Sequence, residues 1–136
     1  MQMPEPDAGI LARRSELITS LRRIVPGDGV IADDAGMRVY ESDGLPAYRQ
    51  IPMAVVLPDT VAQISDILRL CDEWGVKVVP RGAGTSLSGG ALPLADGIIL
   101  GLGKFNRVLE IDYDNRAVRV QPGVTNLGIS QAVDGE

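Results

Sequence analysis

The chain has 136 residues, which is enough for one domain and leaves little room for two. Its 13 Lys and Arg residues against 18 Asp and Glu residues give a net charge of −5, which argues against the basic face of a nucleic-acid-binding protein. Hydrophobic residues make up 45% of the chain and charged residues 23%, a balance typical of a folded protein rather than a disordered one.

Histidine is absent from the sequence, and Cys71 is the single cysteine. These counts exclude an imidazole base and a Ser-His-Asp or Cys-His catalytic group within this chain. One cysteine supplies neither a structural zinc site nor an internal disulfide. The N-terminus lacks the apolar run of a secretory signal, and no apolar stretch reaches the roughly 18 residues of a membrane span. We therefore expect a cytoplasmic protein with no metal site and no membrane span.

Residues 1–52 are predicted to form an N-terminal unit made of one helix and an irregular segment. Apolar residues recur at helical spacing over 10–25, and Pro26 ends this helix. The following stretch, 28–50, is polar, contains glycine and has no sustained period. It is predicted to be irregular, with one short strand at most.

A strand–helix–strand unit follows. The fully apolar run 53–57 is typical of a buried strand. Thr60 and Gln63 have the spacing of a capping box at the start of a helix, and Gly75 is the residue type that ends a helix in a left-handed conformation. A second strand is predicted over 76–79, so that the three elements form one βαβ unit with a right-handed crossover.

Further along the chain, short strands alternate with turn residues. Residues 107–112 and 117–121 flank the turn-forming residues 113–116 and are predicted to pair as a hairpin. One more strand is predicted before the hairpin, over 97–102, and a helix is predicted after it, over 125–133.

The most informative segment, called the glycine loop below, is residues 80–90. Glycine lets a ligand approach backbone N–H groups closely, and successive N–H groups in a turn form an anion-binding nest. Hydroxyl side chains add further hydrogen-bond donors. The pattern favours phosphate or pyrophosphate binding, and the other interpretation is a loop that only turns the chain. The residues that make this pattern are Gly82, Gly84, Thr85, Ser86, Ser88, Gly89 and Gly90.

Three familiar motifs do not fit the glycine loop. A dinucleotide-binding Rossmann turn needs a third glycine where Leu87 stands. An NTPase loop needs Lys and then Ser or Thr where Gly90 and Ala91 stand. The G-x-S-x-G nucleophile elbow fails at Ser88, and no histidine is present to activate that serine. The segment is therefore predicted to be a phosphate-type loop that is neither a dinucleotide-binding Rossmann turn nor an NTPase loop.

Residues 80–91 resemble the pyrophosphate loop of the FAD-binding fold found in p-cresol methylhydroxylase and vanillyl-alcohol oxidase. More narrowly, they resemble the FAD-linked 2-hydroxyacid oxidoreductases, which include the flavin subunit of glycolate oxidase and the related D-lactate dehydrogenases. The runs 40–44, 54–58, 76–80 and 120–126 resemble the same family. Together these matches cover nearly the whole chain.

The resemblance implies an α+β fold in which residues 53–136 are the first half of a PCMH-type (p-cresol methylhydroxylase) FAD-binding domain, a βαβ unit followed by mixed strands and a hairpin. Members of the family are several times longer, so we expect an N-terminal fragment whose catalytic and metal-binding residues lie beyond Glu136. Covalent flavin links in relatives commonly use histidine, and this segment has none, so FAD is expected to be held noncovalently. The fragment by itself is expected to be inactive.

The resemblance also implies which residues contact the cofactor. Backbone N–H groups and hydroxyls of the glycine loop would bind the pyrophosphate, and Arg81 either pairs with a phosphate or is a solvated surface residue. Residues 122–124 resemble a second flavin-lining segment, and a plain turn after the hairpin fits them equally. No catalytic residue is predicted, and the predicted cofactor-binding residues are Pro80, Arg81, Gly82, Ala83, Gly84, Thr85, Ser86, Gly89, Gly90, Pro122, Gly123 and Val124.

Other residues receive structural interpretations. Cys71 and Trp74 lie on the apolar face of the second predicted helix and are expected to pack in the core. No partner is predicted for Lys104. Four more residues are expected to serve turns or edges, namely Tyr40, Asp43, Tyr113 and Asp114.

The leading hypothesis is the FAD-binding portion of an oxidoreductase that oxidises a small 2-hydroxy acid, of the glycolate or D-lactate type, to the 2-oxo acid. The expected partners are FAD, the substrate through a cap domain outside the fragment, and other oxidase subunits. Two alternatives stay open at this stage: a noncatalytic nucleotide- or anion-binding module, and a structural domain whose glycine loop only turns the chain.

Overall fold

The computed structural model describes residues 3–134, which contain a four-stranded mixed sheet, a two-stranded hairpin and five α-helices. This composition agrees with the predicted α+β class. In chain order the helices are α1 (Ala8–Ala12), α2 (Arg14–Ile24), α3 (Asp34–Arg38), α4 (Val61–Trp74) and α5 (Asn126–Ala132), and the strands are β1 (Val30–Ile31), β2 (Ala54–Val56), β3 (Lys77–Arg81), β4 (Gly97–Gly101), β5 (Val108–Asp112) and β6 (Ala117–Val120).

The prediction of one continuous helix over 10–25 is wrong, because two helices meet at Arg13. Helix α1 begins earlier than the apolar pattern indicated, since the Asp7 carboxylate accepts hydrogen bonds from two N–H groups of the first turn. At the junction, the Arg13 N–H donates to the Ile10 carbonyl oxygen, an i→i−3 bond that tightens the turn. The Arg13 guanidinium lies 3.9 Å from the centre of the Trp74 ring, a tertiary contact that helical periodicity does not report.

The segment 28–50 contains one short strand, as predicted, and one α-helix that the prediction missed. Strand β1 has two residues and pairs antiparallel with β2. Helix α3 has five residues, which is too few for an apolar period to show. It begins where the Asp33 side chain accepts the N–H of Gly36 at 2.8 Å.

The strand–helix–strand unit is confirmed, but in the sheet a further strand lies between its two strands. Helix α4 begins at a capping box made by Thr60 and Gln63, and it ends at Gly75, whose φ is +69°. Strands β2 and β3 are not neighbours, because β4 lies between them and pairs parallel with both. The order β1-β2-β4-β3 places the carboxyl ends of the three parallel strands at one edge of the sheet.

Apolar side chains cover both faces of the central sheet. On one face, α2 and α4 contribute Leu17, Leu21, Ile67 and Cys71, each at most 1% exposed. On the other face, Met37 of α3 packs with side chains from β2, β3 and β4. All five residues of β4 are buried, as expected for the middle strand of a parallel sheet. The predicted core position of Cys71 is confirmed.

Asp96 lies in the turn directly before β4, and its charged side chain is only 1% exposed. Its Oδ2 accepts the Nζ of Lys77 at 2.6 Å and the backbone N–H of Asp7 at 2.9 Å. Desolvation works against the buried charge, but the hydrogen bonds from Lys77 and Asp7 and the Lys77 charge outweigh it, so the pKa of Asp96 is lowered. This contact ties the start of α1 to β3.

The predicted hairpin is confirmed, because β5 and β6 pair antiparallel. Its turn includes Arg116 at a φ of 51°, and the register is irregular between Val108 and Glu110. Helix α5 follows as predicted, with Thr125 as its N-cap. Within residues 3–134, no helix is long and apolar enough to cross a membrane.

Cys71→Ala is expected to lower the free energy of unfolding by about 1 kcal/mol, because it removes a small side chain from the core. Burial raises the pKa of the Cys71 thiol to about 11, so the folded protein should react with iodoacetamide far more slowly at neutral pH than the unfolded protein. Urea unfolding can be followed by the fluorescence of Trp74, which packs against the same cluster. Rapid labelling of the folded protein would contradict the core position.

Asp96→Asn is expected to lower the free energy of unfolding at neutral pH by about 1–2 kcal/mol, since a charge-assisted hydrogen bond is lost. The folded-state pKa of Asp96 lies below its ordinary value of 3.8, so the stabilisation is complete above that value and is lost as the pH falls through the lowered pKa. The difference in the free energy of unfolding between wild type and variant, measured by urea unfolding, should therefore disappear under acid conditions. Asp66→Asn, which removes an exposed pair with Arg69, is the control and should cost about 0.5 kcal/mol or less. A gap that stays constant down to acid pH would contradict the assignment.

Candidate functional site

The glycine loop leaves the central sheet at the end of β3, on the edge where the carboxyl ends of the parallel strands meet. The strand runs over Lys77–Arg81 rather than over the predicted 76–79, so Pro80 and Arg81 belong to it. Proline is tolerated here because β3 is the last strand in the sheet order. Beyond Arg81, the loop contains no helix or strand up to Gly90.

Backbone N–H groups in the first part of the loop are available to a ligand. The N–H groups over 82–85 donate to no acceptor among the residues that the structure describes. Gly84 has a φ of +73° and Gly89 a φ of +80°, conformations that favour glycine and that occur in anion-binding nests. This row of unpartnered donors fits the oxygen atoms of a pyrophosphate.

The second predicted segment, which begins at Pro122, lies against the loop. A Cβ on Gly82 would meet the Pro122 carbonyl oxygen at 3.9 Å. Gly123 donates its N–H to the Phe105 carbonyl oxygen at 2.7 Å. A Cβ on Gly123 would lie 2.8 Å from that oxygen and 2.5 Å from the carbonyl oxygen of Leu102, so glycine is required there. The structure thus brings together two segments that are far apart in the sequence.

Arg81 is hydrogen-bonded to the backbone rather than free in solvent. Its Nη1 donates to the carbonyl oxygens of Ser42 at 2.7 Å, Ala91 at 3.2 Å and Tyr40 at 3.3 Å. The guanidinium also lies 5.5 Å from the centre of the Tyr40 ring. Neither interpretation made from the sequence, phosphate partner or solvated residue, included these contacts.

Residues 40–44, called the clasp below, hold the later part of the loop. Asp43 is 8% exposed, and its Oδ2 accepts the N–H of Gly89 at 3.0 Å. The N–H of Gly44 donates to the Ser86 carbonyl oxygen at 2.9 Å, and a Cβ on Gly44 would lie 3.0 Å from the same oxygen. The Gly89 N–H is therefore already committed to a carboxylate. The resemblance at 40–44 was the one sequence signal that this segment belongs with the loop.

The remaining predicted residues have fewer contacts. Ser86 Oγ accepts the N–H of Ser88 at 3.4 Å, a weak local contact that leaves the hydroxyl proton available. Thr85 is exposed, and a Cβ on Gly90 would lie 3.4 Å from Ser86 Oγ. Val124 is half-buried, and its N–H donates to a carbonyl three residues earlier, as in a plain turn.

The residues given structural interpretations are placed as follows. The sequence named no partner for Lys104, and the structure supplies one, since its Nζ lies 2.8 Å from Asp59 Oδ1. Asp43 serves a turn as expected, because its Oδ1 accepts the N–H of Leu45 at 2.9 Å, and its link to Gly89 was not foreseen. Residues 113 and 114 lie in the hairpin turn, as predicted.

A cavity of about 330 Å³ lies between the hairpin and α5. None of the predicted cofactor-binding residues lines it. Over residues 3–134, no group of three or more acidic or cysteine side chains could hold a metal ion. The cavity is mainly apolar and is lined by Ile111, Asp112, Tyr113, Arg116, Ala117, Val118, Ile129 and Val133.

Sequence comparison places the chain among flavoproteins. Residues 52–135 match the family described as FAD binding domain. The chain is 49% identical over 120 residues to the glycolate oxidase subunit GlcD of Escherichia coli strain K12, covering 88% of this chain and 24% of that protein. For GlcD of Bacillus subtilis strain 168, the identity is 43% over 103 residues, 76% of this chain and 22% of that protein. A probable mitochondrial D-2-hydroxyglutarate dehydrogenase of Oryza sativa subsp. indica is 27% identical over 122 residues, which cover 90% of this chain and 22% of that protein.

Solved structures share the fold. A crystal structure of p-cresol methylhydroxylase with substrate bound superimposes with a TM-score of 0.80 at 23% identity, over 96% of this chain and 26% of that one. The 4-ethylphenol oxidase from Gulosibacter chungangensis superimposes with a TM-score of 0.79 at 27% identity, over 97% of this chain and 26% of that one. The chain spans about a quarter of the length of the relatives it matches. The predicted resemblance and PCMH-type fold are confirmed: the chain belongs to the FAD-binding domain family, and its cofactor is FAD.

Proposed function

We propose that this protein binds FAD noncovalently, with the FAD pyrophosphate on the glycine loop, and that the full-length protein oxidises a small 2-hydroxy acid to the 2-oxo acid. The observation that supports the pyrophosphate site is the row of unpartnered N–H groups over 82–85, in a chain that matches the FAD-binding domain family. The substrate class is supported by the names of the relatives.

The proposed site binds the pyrophosphate through backbone donors. The N–H groups over 82–86 and the hydroxyls of Thr85 and Ser86 would donate to phosphate oxygens, in charge-assisted hydrogen bonds that replace those of water. Residues 122–124 would form the neighbouring wall, because Pro122 approaches Gly82. The other residues of the loop that are predicted to contact the cofactor lie at its two ends, namely Pro80, Arg81, Gly89 and Gly90.

Noncovalent binding is supported by the side chains that this chain offers. It has no histidine for a histidyl–flavin bond. Its single cysteine, Cys71, is 1% exposed within the core between α4 and the sheet. Acid precipitation of the flavin-loaded protein should therefore release FAD into the supernatant.

The proposed substrate class is supported by the chemistry that two relatives share by name. Glycolate and D-2-hydroxyglutarate are both 2-hydroxy acids. Their oxidation removes the hydrogen on C2 with its electron pair and the proton of the hydroxyl group, and FAD, when bound, supplies the hydride acceptor. This chain holds and orients the cofactor, and it has no histidine to take the hydroxyl proton. We propose that the base and the substrate-binding residues belong to the full-length protein outside this segment. Both GlcD relatives are named as subunits, which supports further oxidase subunits as partners.

FAD binding and oxidation are tested separately. Titration of FAD, followed by flavin fluorescence, should show one saturable site on the full-length protein, and ADP should compete because it carries the same pyrophosphate. The 136-residue segment alone should bind FAD more weakly, because a partly exposed flavin ring forfeits burial energy of about 25 cal/mol per Å². Dye-coupled assays should detect oxidation of glycolate or D-lactate by the full-length protein only.

The outcomes separate the alternatives. FAD binding without oxidation of any 2-hydroxy acid would indicate a noncatalytic binding module. Absence of FAD binding by the full-length protein would contradict the pyrophosphate site and leave a loop that only turns the chain.

Gly84→Val is expected to abolish FAD retention while the fold persists. The φ of +73° strains a β-branched residue by about 1–2 kcal/mol, and the new side chain would overlap the Arg81 guanidinium. Gly75→Val is the matched control, since Gly75 has a φ of +69° and open space around it. In urea unfolding it should show the cost of the backbone strain alone, and it should leave FAD stoichiometry unchanged. Equal flavin content in the Gly84 variant and wild type would show that the loop does not hold FAD.

A further inference from the structure

Arg81 lies where both ends of the glycine loop meet the clasp. Its side chain leaves the last residue of β3, just before the loop glycines, and Nη1 reaches the carbonyl oxygen of Ala91, just after the loop, at 3.2 Å. The same nitrogen donates to two clasp carbonyls, those of Tyr40 and Ser42. One guanidinium therefore joins the start of the loop, its end and the clasp.

The middle of the loop also depends on this side chain. Gly84 lies directly against the guanidinium, so that a Cβ at this position would overlap Nη2, Cζ and Nε of Arg81. Three backbone acceptors hold Nη1, so the guanidinium cannot move aside at low cost. The left-handed turn at Gly84 is thus shaped to fit over Arg81.

The N–H groups over 82–85 have no acceptor in the part of the chain that the structure describes, so their arrangement there comes from contacts elsewhere in the loop. Those contacts are the Arg81 hydrogen bonds and the two links from the clasp, Asp43 to Gly89 and Gly44 to Ser86. A loop ordered in this way before its ligand arrives loses less conformational entropy when the ligand binds.

We propose that Arg81 is a positioning residue that preorganises the glycine loop for the FAD pyrophosphate through the carbonyls of residues 40, 42 and 91. This inference rests on the proposed function of the loop. The competing role is direct contact with a phosphate, because Nε and Nη2 donate to no acceptor among the described residues. The two roles differ in a property of the FAD-free protein, the protection of the loop amides.

A matched control exists in Arg14. Its Nε donates to the carbonyl oxygen of Met53 at 2.9 Å and its Nη2 to that of Ala32 at 2.7 Å. Arg14 is therefore another partly buried arginine that joins backbone segments, and within residues 3–134 none of its hydrogen bonds involves the glycine loop or the clasp. Arg14→Lys tests what the loss of such a side chain does to the protein in general.

The experiment compares Arg81→Lys and Arg81→Gln with Arg14→Lys in the full-length protein. Lysine keeps the charge, but its Nζ ends one bond short of the position of Nη1 and it has no planar guanidinium for Gly84 to lie against. Glutamine keeps donors without the charge. We expect both Arg81 variants to raise the FAD dissociation constant at least tenfold. In the FAD-free state, both should speed hydrogen–deuterium exchange at least tenfold at the amides of Gly44, Gly89 and Leu92, which are hydrogen-bonded within the loop and clasp. Arg14→Lys should change neither quantity more than twofold.

Several results would overturn the inference. If Arg81→Gln weakens FAD binding but leaves the exchange of these amides unchanged, Arg81 contacts the phosphate directly. If exchange accelerates while FAD affinity stays the same, the order of the loop does not serve binding. If Arg14→Lys weakens FAD binding as much as the Arg81 variants, the loss reflects general stability. Failure of the wild-type protein to bind FAD would instead contradict the proposed function, and the exchange arm would still decide whether Arg81 orders the loop.

Discussion

The parallel pairing of β3 with β4 is the constraint on which the site depends. Five residue pairs, from Lys77 with Gly97 to Arg81 with Gly101, determine where β3 ends and the glycine loop begins. The N–H of Leu102 donates to the Arg81 carbonyl oxygen at 2.8 Å and extends this ladder one step beyond the strands. Since β2 pairs with the other side of β4, the loops after all three strands leave one edge of the sheet.

Close backbone approach follows from that arrangement, and it explains several glycines at once. Segments of the chain that meet at this edge contact each other through main-chain atoms. Gly123 approaches the carbonyl groups of Leu102 and Phe105, and Gly44 approaches that of Ser86. A Cβ at these positions would lie within about 3 Å of a carbonyl oxygen, where the backbone has no freedom to yield. The site is therefore built largely from main chain, and its shape depends on the sheet beneath it.

The electrostatics suit a protein that is acidic overall and holds an anion. With a net charge of −5, the chain does not attract phosphate by its overall field. In the proposed site, oriented N–H groups would act on the phosphate at short range instead. The Asp43 carboxylate beside the loop opposes an anion through its charge, but its hydrogen bond to Gly89 orders the loop. The partly buried Arg81 guanidinium supplies a compensating positive charge.

The sequence by itself determined the features that local patterns encode. The capping box at Thr60 and the left-handed Gly75 define α4, because both act within a few residues of the helix ends. Turn residues between two alternating strands define the hairpin, and the spacing of glycines and hydroxyls predicts a loop of the phosphate-binding type.

Only the tertiary structure decided which of these elements meet. Three features depend on contacts between positions tens of residues apart. They are the insertion of β4 between β2 and β3, the helix break at Arg13, which lies against Trp74, and the Lys104–Asp59 pair. The same is true of the contacts that Arg81 and Asp43 make between clasp and loop. A periodic pattern reports which face of an element is apolar, but it carries no information about the partner that covers that face or accepts a given hydrogen bond. Packing across the whole chain therefore settled where the unpartnered N–H groups lie and what holds them there.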